Sequence, residues 1–201
     1  MPRTAEQFEA MRKEREESIL NAGLYFFATK GYELTTADAI AKMVNCSHGL
    51  LYHYYKTKEE LYQAVIEKKV RPIVFSIIGD IDFTQKAKFV FIDIINKFLK
   101  ALKSENDEYA WAIALLLDIH IQGVMNPKVK HVEKSQKLYD QVFDLIEKGK
   151  SEGDFNDLSS KELVVSLLAL FKGLSYNRIR VGHLKFICPK TEVILSMVLK
   201  K

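Results

Sequence analysis

Residues Thr35–Leu61 read TTADAIAKMVNCSHGLLYHYYKTKEEL, and the fold is decided in this stretch. Thr35 to Asp38 has the Ser/Thr-x-x-acid spacing of a capping box, just before Ile40. The short helix it opens is expected to run to about Val44. Asn45 tolerates the left-handed backbone of a tight turn. Ser47 can cap a second short helix ending near Tyr54. Thr57 with Glu60 is another capping box, opening a long helix through Leu61, Val65, Ile66, Val70 and Ile73. Two short helices joined by a tight turn form a helix-turn-helix. In its second helix, residues three or four apart share a face. His48 and Tyr52 therefore sit together, while Leu51 and Tyr55 turn towards the core. Gly49 lets another backbone approach closely.

Outward from this stretch the chain reads as helix after helix. Phe8 to Lys30 carries Ile19, Ala22, Gly23 and Phe26 on one face, and Gly31 suits the left-handed position after a helix end. Pro72 is expected to kink or interrupt the helix opened at Thr57, because it lacks an amide donor and clashes with the preceding turn. Lys86 to Leu102 is amphipathic. Glu108 to Met125 is apolar almost all round, as in a buried helix. Asn126-Pro127 breaks it, and a further amphipathic helix runs from Val129 through Val132 to Ile146. Ser151 to Ser159 is a turn, Leu163 to Ile179 is helical, and Cys188-Pro189 precedes a short helix to Leu199. The expected fold is all-α: a three-helix N-terminal unit over 1–56 and a larger helical unit over 57–201.

Composition narrows the classes. Hydrophobic residues are 48% and charged residues 28% of 201, which argues against wholesale disorder. Two cysteines, Cys46 and Cys188, cannot make a disulfide framework and point to a reducing compartment. Uncharged runs such as Leu163 to Phe171 fall short of the roughly 18 residues a membrane span needs. Met1 to Glu17 lacks the apolar core of a signal peptide. A cytoplasmic protein without a membrane partner is expected. Residues 1–60 hold 8 Lys/Arg against 9 Asp/Glu, so bulk charge does not argue for nucleic acid and local geometry must. There is no Gly-rich phosphate loop, nucleophile elbow or metal-spaced Cys/His cluster, so no enzyme, cofactor or metal site is expected. His48 and His53 are five apart and fall on different helix faces, which disfavours a shared metal.

The N-terminal third resembles the DNA-binding module of TetR-family transcriptional regulators. The resemblance rests on Ser18-Ile19-Leu20-Asn21-Ala22, Phe27, Gly31 to Thr36, Ile40-Ala41, and Ser47 through Leu61. It implies a homodimeric repressor that binds a palindromic operator and is released by a small molecule held in a C-terminal helical ligand-binding and dimerisation domain. It also implies Thr36 as a phosphate contact, Ser47, His48, Gly49 and Tyr52 as the major-groove set, and His53, Tyr54 and Lys58 as backbone anchors. Three positions depart from the family pattern. Asn45 replaces a turn glycine, Leu50 replaces a common hydroxyl residue, and Asp38 replaces a common basic residue and would repel phosphate if it faced DNA.

In the helix from Glu108, the residues Trp111, Leu115, Asp118 and Gln122 share a face and are the candidate effector wall, an apolar surface with a few placed polar groups. The competing expectation is that Asp118, His120 and Gln122 are paired structural groups. Phe89, Phe91 and Phe98 are expected in the core. Val142, Phe143, Ile146, Leu167, Phe171 and Leu174 are expected in the core or in a four-helix dimer interface. The alternative to a regulator is a helical small-molecule-binding protein without operator-specific DNA binding.

Overall fold

The computed structural model describes residues 4–79, 81–125 and 132–200, with the side chains of all but 120–125 and 132–138. The expected break at Asn126-Pro127 and the expected helical position of Val129 lie outside the described residues. So do the side chains of His120, Gln122 and Val132. The described elements are helices, with one isolated bridge between Phe155 and Leu199. No helix among them is long and apolar enough to cross a membrane. Packing divides the chain into two units, Met1–Pro72 and Ile73–Lys201. The division falls later than the expected boundary at 56/57, because the helix opened at Thr57 packs against the first helix.

In the first unit, α1 (Ala5–Leu34) starts earlier than Phe8, because Thr4 and Gln7 form a reciprocal capping box. Gly31, at φ 79°, interrupts α1 near its end, a conformation that costs glycine little. The cap of α2 (Ala37–Met43) is Thr36 rather than Thr35. Thr35 is instead buried, its hydroxyl donating to the Gly31 carbonyl at 2.7 Å. Ser47 caps α3 (His48–Tyr54), and Thr57 caps α4 (Lys58–Val65). Ile19, Leu24, Phe27, Ile40, Leu51, Leu61 and Val65 are almost wholly buried and make the core of this unit.

Pro72 does not break the long helix. A single π-helical turn, Ile66–Val70, leads directly into α5 (Arg71–Ile78). The Arg71 amide bonds the Ile66 carbonyl, five residues back. The physical reason is that Pro72 cannot donate to the carbonyl four residues before it and its ring crowds that group. One extra residue in the turn relieves both problems. The turn is held to α1 by ion pairs of Lys68 with Glu16, and of Lys69 with Glu17 at 2.6 Å.

The second unit contains α6 (Ala87–Lys103), α7 (Glu108–Met125), α8 (Val132–Ser151), α9 (Ser160–Val181) and α10 (Thr191–Leu195). Phe91, Ile95, Phe98, Leu102, Leu145, Ile146, Phe155, Val164 and Leu167 form its core. Ile146 and Leu167 are therefore internal and not a dimer face, whereas Phe89, expected inside, is 61% exposed. The ring of Phe155 lies directly on the backbone of α8 at Gly149, where a Cβ would come within 2.5 Å of it. Arg178 of α9 is fully buried and donates to the Leu102 carbonyl at 3.0 Å and the Ser104 carbonyl at 2.9 Å. These carbonyls end α6 and have no partner within that helix. Asp107 balances the guanidinium at 2.7 Å.

Candidate nucleic-acid interface and ligand cavity

The helix-turn-helix is built from three local devices. Thr36 accepts a hydrogen bond from the Ala39 amide at 3.2 Å and starts α2. Asn45 takes φ 50°, and the Cys46 amide donates back to the Ala41 carbonyl at 2.9 Å, closing the turn. Ser47 accepts from the Leu50 amide at 3.1 Å and starts α3. Burial orients the pair: Ile40, Leu51 and Tyr55 face inward at 0%, 2% and 6% exposure. Arg15 of α1 donates to the Val44 carbonyl at 2.9 Å and satisfies the end of α2. The Tyr55 hydroxyl donates to Glu16 at 3.1 Å. Burial, reinforced by that carboxylate, pushes the Tyr55 phenol well up.

The opposite face of α3 is open. Ser47, His48, Gly49 and His53 are exposed, and Tyr52 is half-buried. The His48 and Tyr52 rings meet edge-on with centroids 4.6 Å apart. The His48 Nε2 also stands 3.3 Å from the carboxylate of Asp38 on α2. Hydrogen-bonding side chains on a narrow helix, with a glycine among them, match what a major groove admits and reads. Leu50, 38% exposed, lines a recess with Phe8, Met11, Arg12 and Tyr54.

Two expected anchors are engaged inside the protein. The Tyr54 hydroxyl reaches the Arg12 carbonyl at 3.5 Å. The Lys58 ammonium donates to the carbonyls of Tyr32 at 2.9 Å and Glu33 at 3.4 Å, and lies 4.3 Å from the centre of the Tyr32 ring. It therefore fastens the start of α4 to the end of α1, where Gly31 leaves carbonyls without helical partners. Burial and the neighbouring Glu59 push the Tyr32 phenol up to about 12. The spacing of Lys58 could not reveal this role, because it depends on where the interruption at Gly31 aims those carbonyls.

In the second unit, a cavity of about 80 Å³ is walled by α5 to α9, among them Ile77, Phe98, Leu117, Tyr139, Val142 and Phe171. Tyr139 is the one polar side chain among its described lining residues. The Phe98 and Phe171 rings face each other at 4.3 Å. From α7 the lining is Ile113, Leu116 and Leu117, a different face from Trp111, Leu115 and Asp118, none of which lines it. Leu115 is buried, and Trp111 is half-buried. Asp118 is paired across to α9, with Lys172 at 2.5 Å and with the Tyr176 hydroxyl as its donor. Burial, then the bond to Asp118, pushes the Tyr176 phenol well up. The cavity-facing side of α7 was not legible in the sequence, because a helix apolar nearly all round does not signal which face meets a void. Among the described residues, no three His, Cys, Asp or Glu side chains converge on a metal-sized point.

Comparison with known proteins agrees with this geometry. A family model described as bacterial regulatory proteins, tetR family, matches residues 19–65. The HTH-type transcriptional regulator UidR of Escherichia coli K12 is 26% identical over 155 residues, covering 74% of this chain and 75% of the relative. IcaR of Staphylococcus epidermidis, the negative transcriptional regulator of the biofilm operon icaADBC, is 38% identical over 52 residues, 26% of this chain and 28% of its own. Among solved structures, the ketosteroid transcriptional regulator KstR2 of Mycobacterium tuberculosis aligns with a TM-score of 0.67 at 18% identity. The alignment covers 93% of this chain and 96% of that one, so the two share a fold.

Proposed function

We propose that this chain, whose residues 19–65 match the tetR family model, is a TetR-family transcriptional regulator rather than an enzyme, a homodimeric repressor released from a palindromic operator by a small molecule. The observation that carries the reading is the outward face of α3. There Ser47, His48, Gly49 and Tyr52 stand together on a helix narrow enough for the major groove. Thr36 and His53 stay available for the phosphate backbone. Lys58 supports the module from within.

The repressor sense draws support from IcaR, a negative regulator with a similar N-terminal stretch. The homodimer draws support from α9. Val165, Ser166, Ala169 and Gly173 are exposed on it, Val165 at 59%, and no atom stands within 4 Å of a Cβ built at Gly173. Small residues of this kind let a second copy of the helix approach closely, and a two-fold pairing would set two recognition helices for a palindrome. Effector release needs a ligand that binds better to one conformation than the other. The cavity offers a place, and α5, which contains Pro72 and contributes Ile77 to its wall, follows the π-helical turn.

Selection from a random duplex library tests the reading without assuming an operator. A palindromic motif, bound with affinity that falls steeply with salt, is expected. Recovery of no enriched motif, or a monomer by light scattering at micromolar concentration, overturns it. Pro72→Ala is expected to change ligand-induced release while leaving ligand-free DNA binding in place.

A further inference from the structure

We infer that the cavity of the second unit takes an uncharged, predominantly hydrocarbon molecule, so that the signal this regulator reads is an apolar compound rather than an acid, amine or phosphate. The inference rests on the regulator reading above and narrows its ligand to a chemical class.

The wall sets the class. Ile77, Phe98, Leu117, Val142 and Phe171 present carbon only, and Tyr139 adds the one polar side chain among the described lining residues. A carboxylate or ammonium placed there would lose its hydration and meet no opposite charge among the described lining residues. Asp118 is neutralised by Lys172 and accepts from Tyr176, on a side of α7 that does not line the cavity. Those groups are a structural clasp between α7 and α9 and are not free to receive a ligand's charge.

The void also suits hydrocarbon better than water. A buried water needs two to four polar partners, and an apolar cavity stays dry. About 80 Å³ is several times the roughly 10–15 Å³ that one water requires on this measure. A hydrocarbon can enter without displacing bound solvent and gains contacts that the lining atoms lack. The Phe98 and Phe171 rings, 4.3 Å apart, offer their faces and edges to a chain or a small ring. Both sit on long helices, α6 and α9, and can part by side-chain rotation for a larger guest.

The test uses the full chain and matched probes: octan-1-ol and toluene as neutral ligands, octanoate and octylamine as charged isosteres at neutral pH. Thermal melts and calorimetry are expected to show binding of the neutral pair at least ten-fold tighter than that of either ion. Val142→Phe, which fills the cavity, is expected to abolish the shift in Tm. Leu168→Phe, at a half-buried wall position, is a second filler should the first fold poorly, with far-UV circular dichroism as the control. Equal or tighter binding of octanoate or octylamine overturns the inference. So does a Tm shift that survives both fillers, or the absence of any shift with both neutral probes. The DNA selection above, run without ligand, separates the two readings. Neutral-selective binding by a chain that enriches no DNA motif supports the ligand class while refuting the regulator. A DNA motif with no neutral-selective binding does the reverse.

Discussion

His48, the first residue of α3, and Asp38, in the first turn of α2, face each other across the turn with Nε2 and Oδ1 3.3 Å apart. The pair is open to solvent, and the imidazole also abuts Tyr52 edge-on. Asp38 is therefore proposed to do two opposed things. On the proposed DNA-binding reading, its charge would repel phosphate, while its oxygen would restrain the His48 ring on the outward face of α3.

Asp38→Ala is expected to raise affinity for scrambled DNA while lowering the preference for the operator about three- to ten-fold, since an exposed pair is worth roughly 0.2–1 kcal/mol and positioning adds to it. Anisotropy titrations against both duplexes at one salt concentration check this. An unchanged ratio would show that Asp38 does not position His48.

Lys58→Met separates a structural lysine from a DNA contact. Its ammonium is turned onto the Tyr32 and Glu33 carbonyls. Substitution is expected to destabilise the first unit by about 1–3 kcal/mol, the cost of unsatisfied part-buried acceptors. The slope of log affinity against log salt is expected to stay the same. Loss of a phosphate contact would instead lower it by about 0.9.

Glu16 carries a pH dependence. Its bond to Lys68 holds the carboxyl below its ordinary value of 4.5. The folded state thus binds this proton less readily than the unfolded one. The stability it contributes is present above about pH 4.5 and is lost as pH falls through the depressed folded value. Glu16→Gln is expected to cost about 0.5–1 kcal/mol at neutral pH, discounted for partial exposure, and to flatten the acid limb of stability. Denaturant midpoints measured from pH 7 to pH 3 would show it.

Arg178→Met keeps most of the buried volume and removes the charge. It leaves the Leu102 and Ser104 carbonyls without their donor and frees Asp107. A loss of about 3 kcal/mol is expected from denaturant unfolding. A change below about 1 kcal/mol would mean that water replaces the guanidinium at little cost.

The helix-turn-helix was legible residue by residue because its determinants are local. Ser47, Asn45, Leu51 and Tyr55 act within a few positions of themselves, through a cap, a left-handed turn and a buried face. The start of α2 was misplaced by one residue, since Thr35 and Thr36 offer the same hydroxyl and only burial of the first leaves the second to cap. Pro72 was visible as a disturbance. Its outcome as a π-helical turn was not, because the clash at Pro72 can be relieved by a kink, a break or an added residue, and spacing alone does not choose among them.

The sequence by itself determined the all-α class, the helix-turn-helix and the inward set of its core, all consequences of short-range periodicity and capping. Tertiary structure alone decided that Lys58 clamps α1, that Asp118 is consumed by Lys172 and Tyr176, that Arg178 ends α6, and that the cavity opens onto Ile113, Leu116 and Leu117. Each of these joins groups distant along the chain. Periodicity within one helix states which side is apolar, and only the neighbouring helices decide whether that side meets side chains or a void.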